Sequence, residues 1–126
     1  MDTNTEVVTQ TECTQRLTAV GDALYVIGGK WKLRVIIALR EGHTRFNEIQ
    51  RTITGISAKV LAGELKDLEL NGFIIRKVHT GTPIVVEYLL TPYADTLQDI
   101  LGALSAWGTA HRQHLKDGRN ESVVPK

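Results

Sequence analysis

Few residues of this sequence are placed to do covalent chemistry. The chain holds one cysteine, Cys13, and four histidines, of which only His111 and His114 stand close together. A lone thiol closes no internal disulfide, and thiols paired at the short spacing of a zinc site are absent. His111 and His114 read as a surface pair near a helix end, where cations are favoured, more readily than as metal ligands. No acid, base and nucleophile converge along the chain, so no catalytic residue, no metal and no cofactor is expected.

The chemistry that the residues do offer is ionic. A net charge of +1 hides an asymmetry: residues 1–15 carry three acids and no base, residues 16–91 eleven bases and seven acids, and residues 92–126 four of each. The middle of the chain therefore projects a positive field suited to phosphates or to an acidic partner. Its cations fall into two groups. One is Lys59 and Lys66, with the small residue Ala58 before them and Ala62 and Gly63 between them; the other is Arg76, Lys77 and His79, followed by Thr82.

These groups need elements to hold them. The 126 residues, 42% of them hydrophobic, suffice for one core, so one domain is expected over residues 13–117, with a mobile arm at 1–12 and a mobile tail at 118–126. There is no apolar run of about 20 residues, and the first stretch is acidic where a signal peptide would be basic, which predicts a cytoplasmic protein without membrane contact.

Leu17, Val20, Leu24 and Ile27 recur at helical steps and predict a first helix from about Arg16, stopped by Gly28 and Gly29. Lys30–Arg40 is apolar on nearly all sides and should form a central helix ended by Gly42. Phe46, Ile49 and Ile53 predict a short third helix. Ser57 is the expected N-cap of a fourth, with Ile56 and Leu61 as a hydrophobic staple and Leu61, Leu65 and Leu68 facing inward.

Beyond Asn71 and Gly72, Phe73–His79 and Ile84–Leu90 are two β-rich runs around Thr80-Gly81-Thr82-Pro83, a hairpin. A turn centred on those four residues pairs His79 with Ile84, Val78 with Val85, Arg76 with Glu87 and Ile75 with Tyr88. Thr91 and Pro92 then open a long helix with Leu97, Ile100, Leu101, Leu104, Trp107 and His111 on one stripe, running to about Lys116. The fold class expected is α+β, mostly α: a winged helix-turn-helix with extra N- and C-terminal helices.

In that arrangement a helix enters the major groove of DNA while the hairpin touches the adjacent backbone. On the fourth helix, Lys59, Ala62, Gly63 and Lys66 gather opposite Leu61, Leu65 and Leu68. Gly63 costs roughly 1 kcal/mol relative to alanine within a helix, which implies a close neighbour, either DNA or a tightly crossing helix. Ser57 and the first-turn amides can cap the helix and can also face a phosphate. Arg76, Lys77, His79 and Thr82 suit a wing that grazes phosphates; the alternative is a solvated hairpin with Arg76 held by Glu87, and for Arg76 alone that pairing is the preferred reading.

Read together, the segments Val26-Ile27-Gly28-Gly29-Lys30-Trp31-Lys32-Leu33, Arg45-Phe46-Asn47-Glu48-Ile49, Ile56-Ser57 with Lys59 and Leu61, and Leu65-Lys66-Asp67-Leu68-Glu69 resemble the HxlR-type winged helix regulators. Gly72, Arg76, Pro83, Val86-Glu87-Tyr88, Leu90-Thr91 and Trp107 continue the resemblance, which runs from Cys13 to about His111. It implies a homodimer that binds double-stranded DNA at a palindromic operator and represses or activates nearby genes. Its recognition helix falls on Ser57–Asn71 and its wing on Phe73–Leu90, with Arg45 and Asn47 as flanking DNA contacts.

The resemblance places the dimer surface on the first and last helices, where Leu17, Val20, Leu24, Leu97, Leu101, Leu104 and Trp107 offer apolar stripes too large for one small core. Family members often keep a cysteine just before the first helix, and some use it to sense oxidants or electrophiles; that role falls on Cys13. A thiol near a helix start with Arg16 close by gains thiolate character. Glu12 adjoins it, however, and the proline that commonly follows this cysteine is absent, so an incidental thiol is the alternative. For the domain as a whole, the competing reading is a winged helix that docks a protein in place of DNA.

Overall fold

The computed structural model describes the backbone of residues 3–120 and the side chains of residues 10–118. Five α-helices and one hairpin follow in the order α1 (Thr3–Ile27), α2 (Lys32–Arg40), α3 (Phe46–Thr52), α4 (Ala58–Leu70), β1 (Ile74–His79), β2 (Val85–Leu90), a 3-10 segment (Pro92–Leu97) and α5 (Gln98–Asn120). Among the described residues no helix is long and apolar enough to cross a membrane.

The apolar pattern explains the packing. Val35, Ile36, Ala38 and Leu39 of α2 are buried, making it the central helix, and Ile49, Ile53, Leu61, Leu65 and Leu68 close around it from α3, the following turn and α4. Phe73 and Ile74 seal the floor as the chain leaves α4, and Ala94 and Leu97 cover it from the 3-10 segment. Glycines at positive φ end two of these helices: Gly42 (φ 99°) follows α2 and Gly72 (φ 84°) follows α4, a backbone region that favours a residue without a Cβ.

Several boundaries differ from those expected. Helix α1 begins at Thr3, so residues 3–12 of the expected arm are helical; residues 3–20 contain neither glycine nor proline, and a nucleated helix extends at little cost per residue. At the other end α5 runs through Asn120, which takes in the first part of the expected tail, while 121–126 lie outside the described residues. Thr91 does not cap the last helix. Its hydroxyl donates to the Gly72 carbonyl at 2.6 Å, stapling the end of β2 to the turn after α4, and Pro92 opens a 3-10 segment before α5 proper.

The hairpin register is one residue away from that expected. Ile74 pairs with Leu90, Arg76 with Tyr88, Lys77 with Glu87 and His79 with Val85, leaving a five-residue loop at 80–84. Burial selects this pairing: Ile74 is buried and must share a face with Leu90 and Tyr88, which pack on the core, whereas a slip by one residue would turn Ile74 away from them. Ile84, next to the N–H-less Pro83, drops out of the ladder and is 65% exposed.

Candidate nucleic-acid interface

Helix α4 is set by its first residues. Ser57 has extended backbone (φ −82°, ψ 160°), and its Oγ accepts from the Val60 N–H at 3.1 Å, which stops the chain from entering the helix any earlier. Ile56 and Leu61 are both buried at the staple positions. Leu61, Leu65 and Leu68 then anchor one face, so Ala58, Lys59, Ala62, Gly63 and Lys66 are all left exposed on the other. A Cβ at Gly63 would meet nothing within 4 Å, which removes the tight-crossing explanation among the described residues and leaves an open approach to the helix backbone.

A side chain that the sequence did not single out controls the far edge of α4. Lys32, the first residue of α2, donates to Glu64 Oε1 at 2.8 Å and lies 3.4 Å from Asp67 Oδ2. The Glu64 hydrogen bond outweighs the desolvation of the partly buried ammonium and holds the Lys32 pKa above its ordinary value. No spacing rule links residues 32 and 64. The only sequence signal was a lysine at a helix start, where the helix dipole disfavours it.

Arg45 and Asn47 stand exposed at the start of α3. Glu48 Oε1 accepts from the Thr44 and Arg45 N–H groups at 3.2 and 3.3 Å, satisfying amides that the helix start leaves open.

On the wing, Arg76, Lys77 and Thr82 are exposed, and His79 is partly covered. The observed register turns Arg76 toward α4, where it lines a shallow cleft with Ala62, Lys66, Glu69 and Tyr88. The structure thus brings together Lys66 and Arg76, two cations that the sequence placed in separate elements.

The expected pairing of Arg76 with Glu87 is not formed. Glu87 bonds instead to His79 Nε2 at 2.8 Å and to the Thr44 hydroxyl at 2.8 Å, because the one-residue change of register carries Arg76 to the opposite face. Those two hydrogen bonds, Thr44 first, hold the Glu87 carboxyl below its ordinary range. His79 is therefore engaged within the wing, whereas Arg76 and Lys77 project from it.

Away from this surface, Leu17, Val20 and Leu24 of α1 are exposed, as are Leu104 and Trp107 of α5; Tyr25, which the helical stripe did not include, is 90% exposed. Leu97 does not belong with them. It is buried in the protomer's own core because the 3-10 segment turns it inward, and Leu101 is partly covered. Trp107 stacks on His111 with ring centroids 4.8 Å apart, and His114 continues the row at 6.3 Å from His111. Among the described residues no three His, Cys, Asp or Glu side chains gather as for a metal ion.

Cys13 is exposed, but it sits about three turns inside α1, so the helix-start environment expected for its thiol is absent.

Comparison with known proteins agrees with this geometry. Residues 26–116 match the model of the HxlR-like helix-turn-helix family. The HTH-type transcriptional regulator YybR of Bacillus subtilis is 37% identical over 101 residues, covering 80% of this chain and 81% of that protein. A regulator of the same type from Methanothermobacter thermautotrophicus is 41% identical over 101 residues, 80% of this chain and 77% of its own. Among solved structures, the redox regulator HypR in its reduced form superposes with a TM-score of 0.72 at 36% identity, covering 79% of this chain and 98% of that one. The reduced form of the regulator YodB from B. subtilis gives 0.63 at 39% identity, with 69% and 85% covered. Fold, exposed α4 face and relatives lead to one assignment: the chain belongs to the HxlR-like helix-turn-helix family of DNA-binding transcription regulators.

Proposed function

We propose that this protein acts as a homodimer on a palindromic operator, with α4 in the major groove and the β1–β2 wing on the neighbouring backbone, as a cytoplasmic repressor or activator. The observation that carries this reading is the outer face of α4. Ala58 and Ala62 on one side and Gly63 on the other leave room for base edges to come close to the helix, and Lys59 and Lys66 put charge between them. Ser57 stands at the positive end of the helix, where a phosphate would meet open N–H groups. Arg45 and Asn47 at the start of α3, and Arg76, Lys77 and Thr82 from the wing, would hold the flanking backbone.

The dimer would form through α1 and α5, whose exposed Leu17, Val20, Leu24, Leu104 and Trp107 make apolar stripes that a solitary protomer leaves in water. A two-fold axis between protomers repeats the α4 surface, and the operator symmetry mirrors it.

The redox regulators to which this chain is similar give Cys13 a role to test. With one cysteine per chain, oxidation would join the two Cys13 thiols of a dimer, or one of them and a small thiol, with the electrons passing to the oxidant.

Mobility shift on duplex DNA flanking the protein's own gene tests the proposal. Binding should be saturable, require two protomers per site and weaken steeply with added salt as condensed counterions are released. Absent binding, or weak binding to any duplex at every salt concentration, would favour a protein-docking role.

A further inference from the structure

The DNA-reading helix carries charge of both signs, and the acidic part needs an explanation. Down the axis of α4, Lys59 and Lys66 lie near the middle of the exposed face with Ala62 and Glu69 toward one edge, whereas Gly63, Asp67 and Glu64 follow in turn toward the other. A helix lying in a major groove faces a phosphate strand along each edge. Unmasked carboxylates on one edge would repel the strand beside them.

Lys32 meets both. Its Nζ is 2.8 Å from Glu64 and 3.4 Å from Asp67, and its side chain is 16% exposed against 20% for Glu64 and 54% for Asp67. This position is unfavourable for a lysine in two respects. The side chain is largely covered along its length, and it belongs to the first residue of α2, at the positive end of that helix, where the first turn holds no acid. Residues that break local preference in this way tend to serve a site.

We infer that Lys32, which touches no DNA itself, is a positioning residue that masks the acidic edge of α4, making a helix of mixed charge acceptable to two phosphate strands. The inference rests on the proposed placement of α4 in the major groove. It gives α2 a second task beside forming the core. It also predicts that bases beside the Glu64–Asp67 edge are read by a surface on which one lysine offsets one of two acids, and those beside Lys59 and Lys66 by a cationic one.

Operator affinity of the full-length protein separates masking from a purely mechanical tie between α2 and α4. Lys32→Met, which bares both acids, should weaken binding by about tenfold at low salt, and the deficit should shrink as salt screens the repulsion. Lys32→Met/Glu64→Gln/Asp67→Asn, which lacks the tie and also the acids, should recover most of that loss. A triple variant as weak as Lys32→Met, or a Lys32→Met protein that binds like wild type, overturns the inference.

If Lys32→Met does not fold by circular dichroism, Glu64→Gln/Asp67→Asn on the wild-type background decides the matter. Masking predicts binding at least as tight as wild type, and weaker binding contradicts it. Wild-type protein that binds no duplex at all would refute the placement of α4 itself, a different outcome from any of these.

Discussion

The Thr44 hydroxyl donates to Glu87 Oε2 at 2.8 Å, joining the loop ahead of α3 to the middle of the wing. The Thr44 carbonyl accepts from the Tyr88 N–H at 2.8 Å, so one residue grips β2 through both side chain and backbone. Because the Glu87 carboxyl is held below its ordinary value of 4.5, its contribution to stability is complete above that pH and is lost as pH falls through the folded-state value. Glu87→Gln should therefore lower the melting temperature at pH 7, and the gap from wild type should narrow by about pH 3. Thermal unfolding at the two pH values checks this; a gap of equal size at both would contradict it.

Lys59 and Lys66 are exposed and bear no load in the core, whereas Leu65 is 2% exposed. Lys59→Ala and Lys66→Ala should each weaken operator binding across sequences and reduce the log–log salt slope by about 1, with unfolding unchanged. Leu65→Ala should cost about 2 to 5 kcal/mol of stability through the cavity that it leaves. Binding isotherms at several salt concentrations, beside denaturant melts, separate the two kinds of effect.

Arg76 is released from the ion pair that its sequence position suggested and shares a cleft with Lys66. Arg76→Ala should leave thermal stability within about 0.5 kcal/mol of wild type, as for an unpaired surface residue, yet weaken DNA binding. A clear fall in stability with unchanged affinity would mean that Arg76 serves the hairpin alone.

Much of this surface was legible beforehand. Ser57, Leu61, Leu65 and Leu68 fix α4 by rules that act within a few residues, so cap, staple and exposed face all read directly from their order. What escaped depends on distant partners. The hairpin register turned on whether Ile74 or Ile75 met the core, and two isoleucines in succession satisfy a strand pattern in either phase. Leu97 fits the stripe of α5 on a helical wheel, but the 3-10 geometry after Pro92 rotates it into the protomer. Lys32 and Thr44 find their acids 32 and 43 residues away, beyond any local spacing rule. The start of α1 was missed for a different reason: a polar stretch without breakers looks like an arm until the helix behind it extends through it.

The dimer reading separates Leu97 from its neighbours on the sequence. Trp107→Ala or Leu104→Ala should shift the protein toward monomer in sedimentation at micromolar concentration, with each protomer still folded. Leu97→Ala should lower the stability of the fold, by about 2 to 5 kcal/mol, because it empties a core position. Trp107→Ala that sediments as wild type would place the dimer contact elsewhere.

For Cys13, treatment with a thiol-specific oxidant should change operator affinity in wild type and leave Cys13→Ser unaffected, with a reducible link formed in parallel. An equal response in the two proteins would assign the effect to another group and leave Cys13 an incidental thiol.

The placement of α4 is tested most directly by amine labelling with and without operator duplex. Lys59 and Lys66 should be shielded from acetylation when DNA is bound, while Lys116, near the far end of α5, stays as reactive as before. Equal labelling of Lys59 and Lys66 in the free and bound protein would show that this helix does not enter the groove.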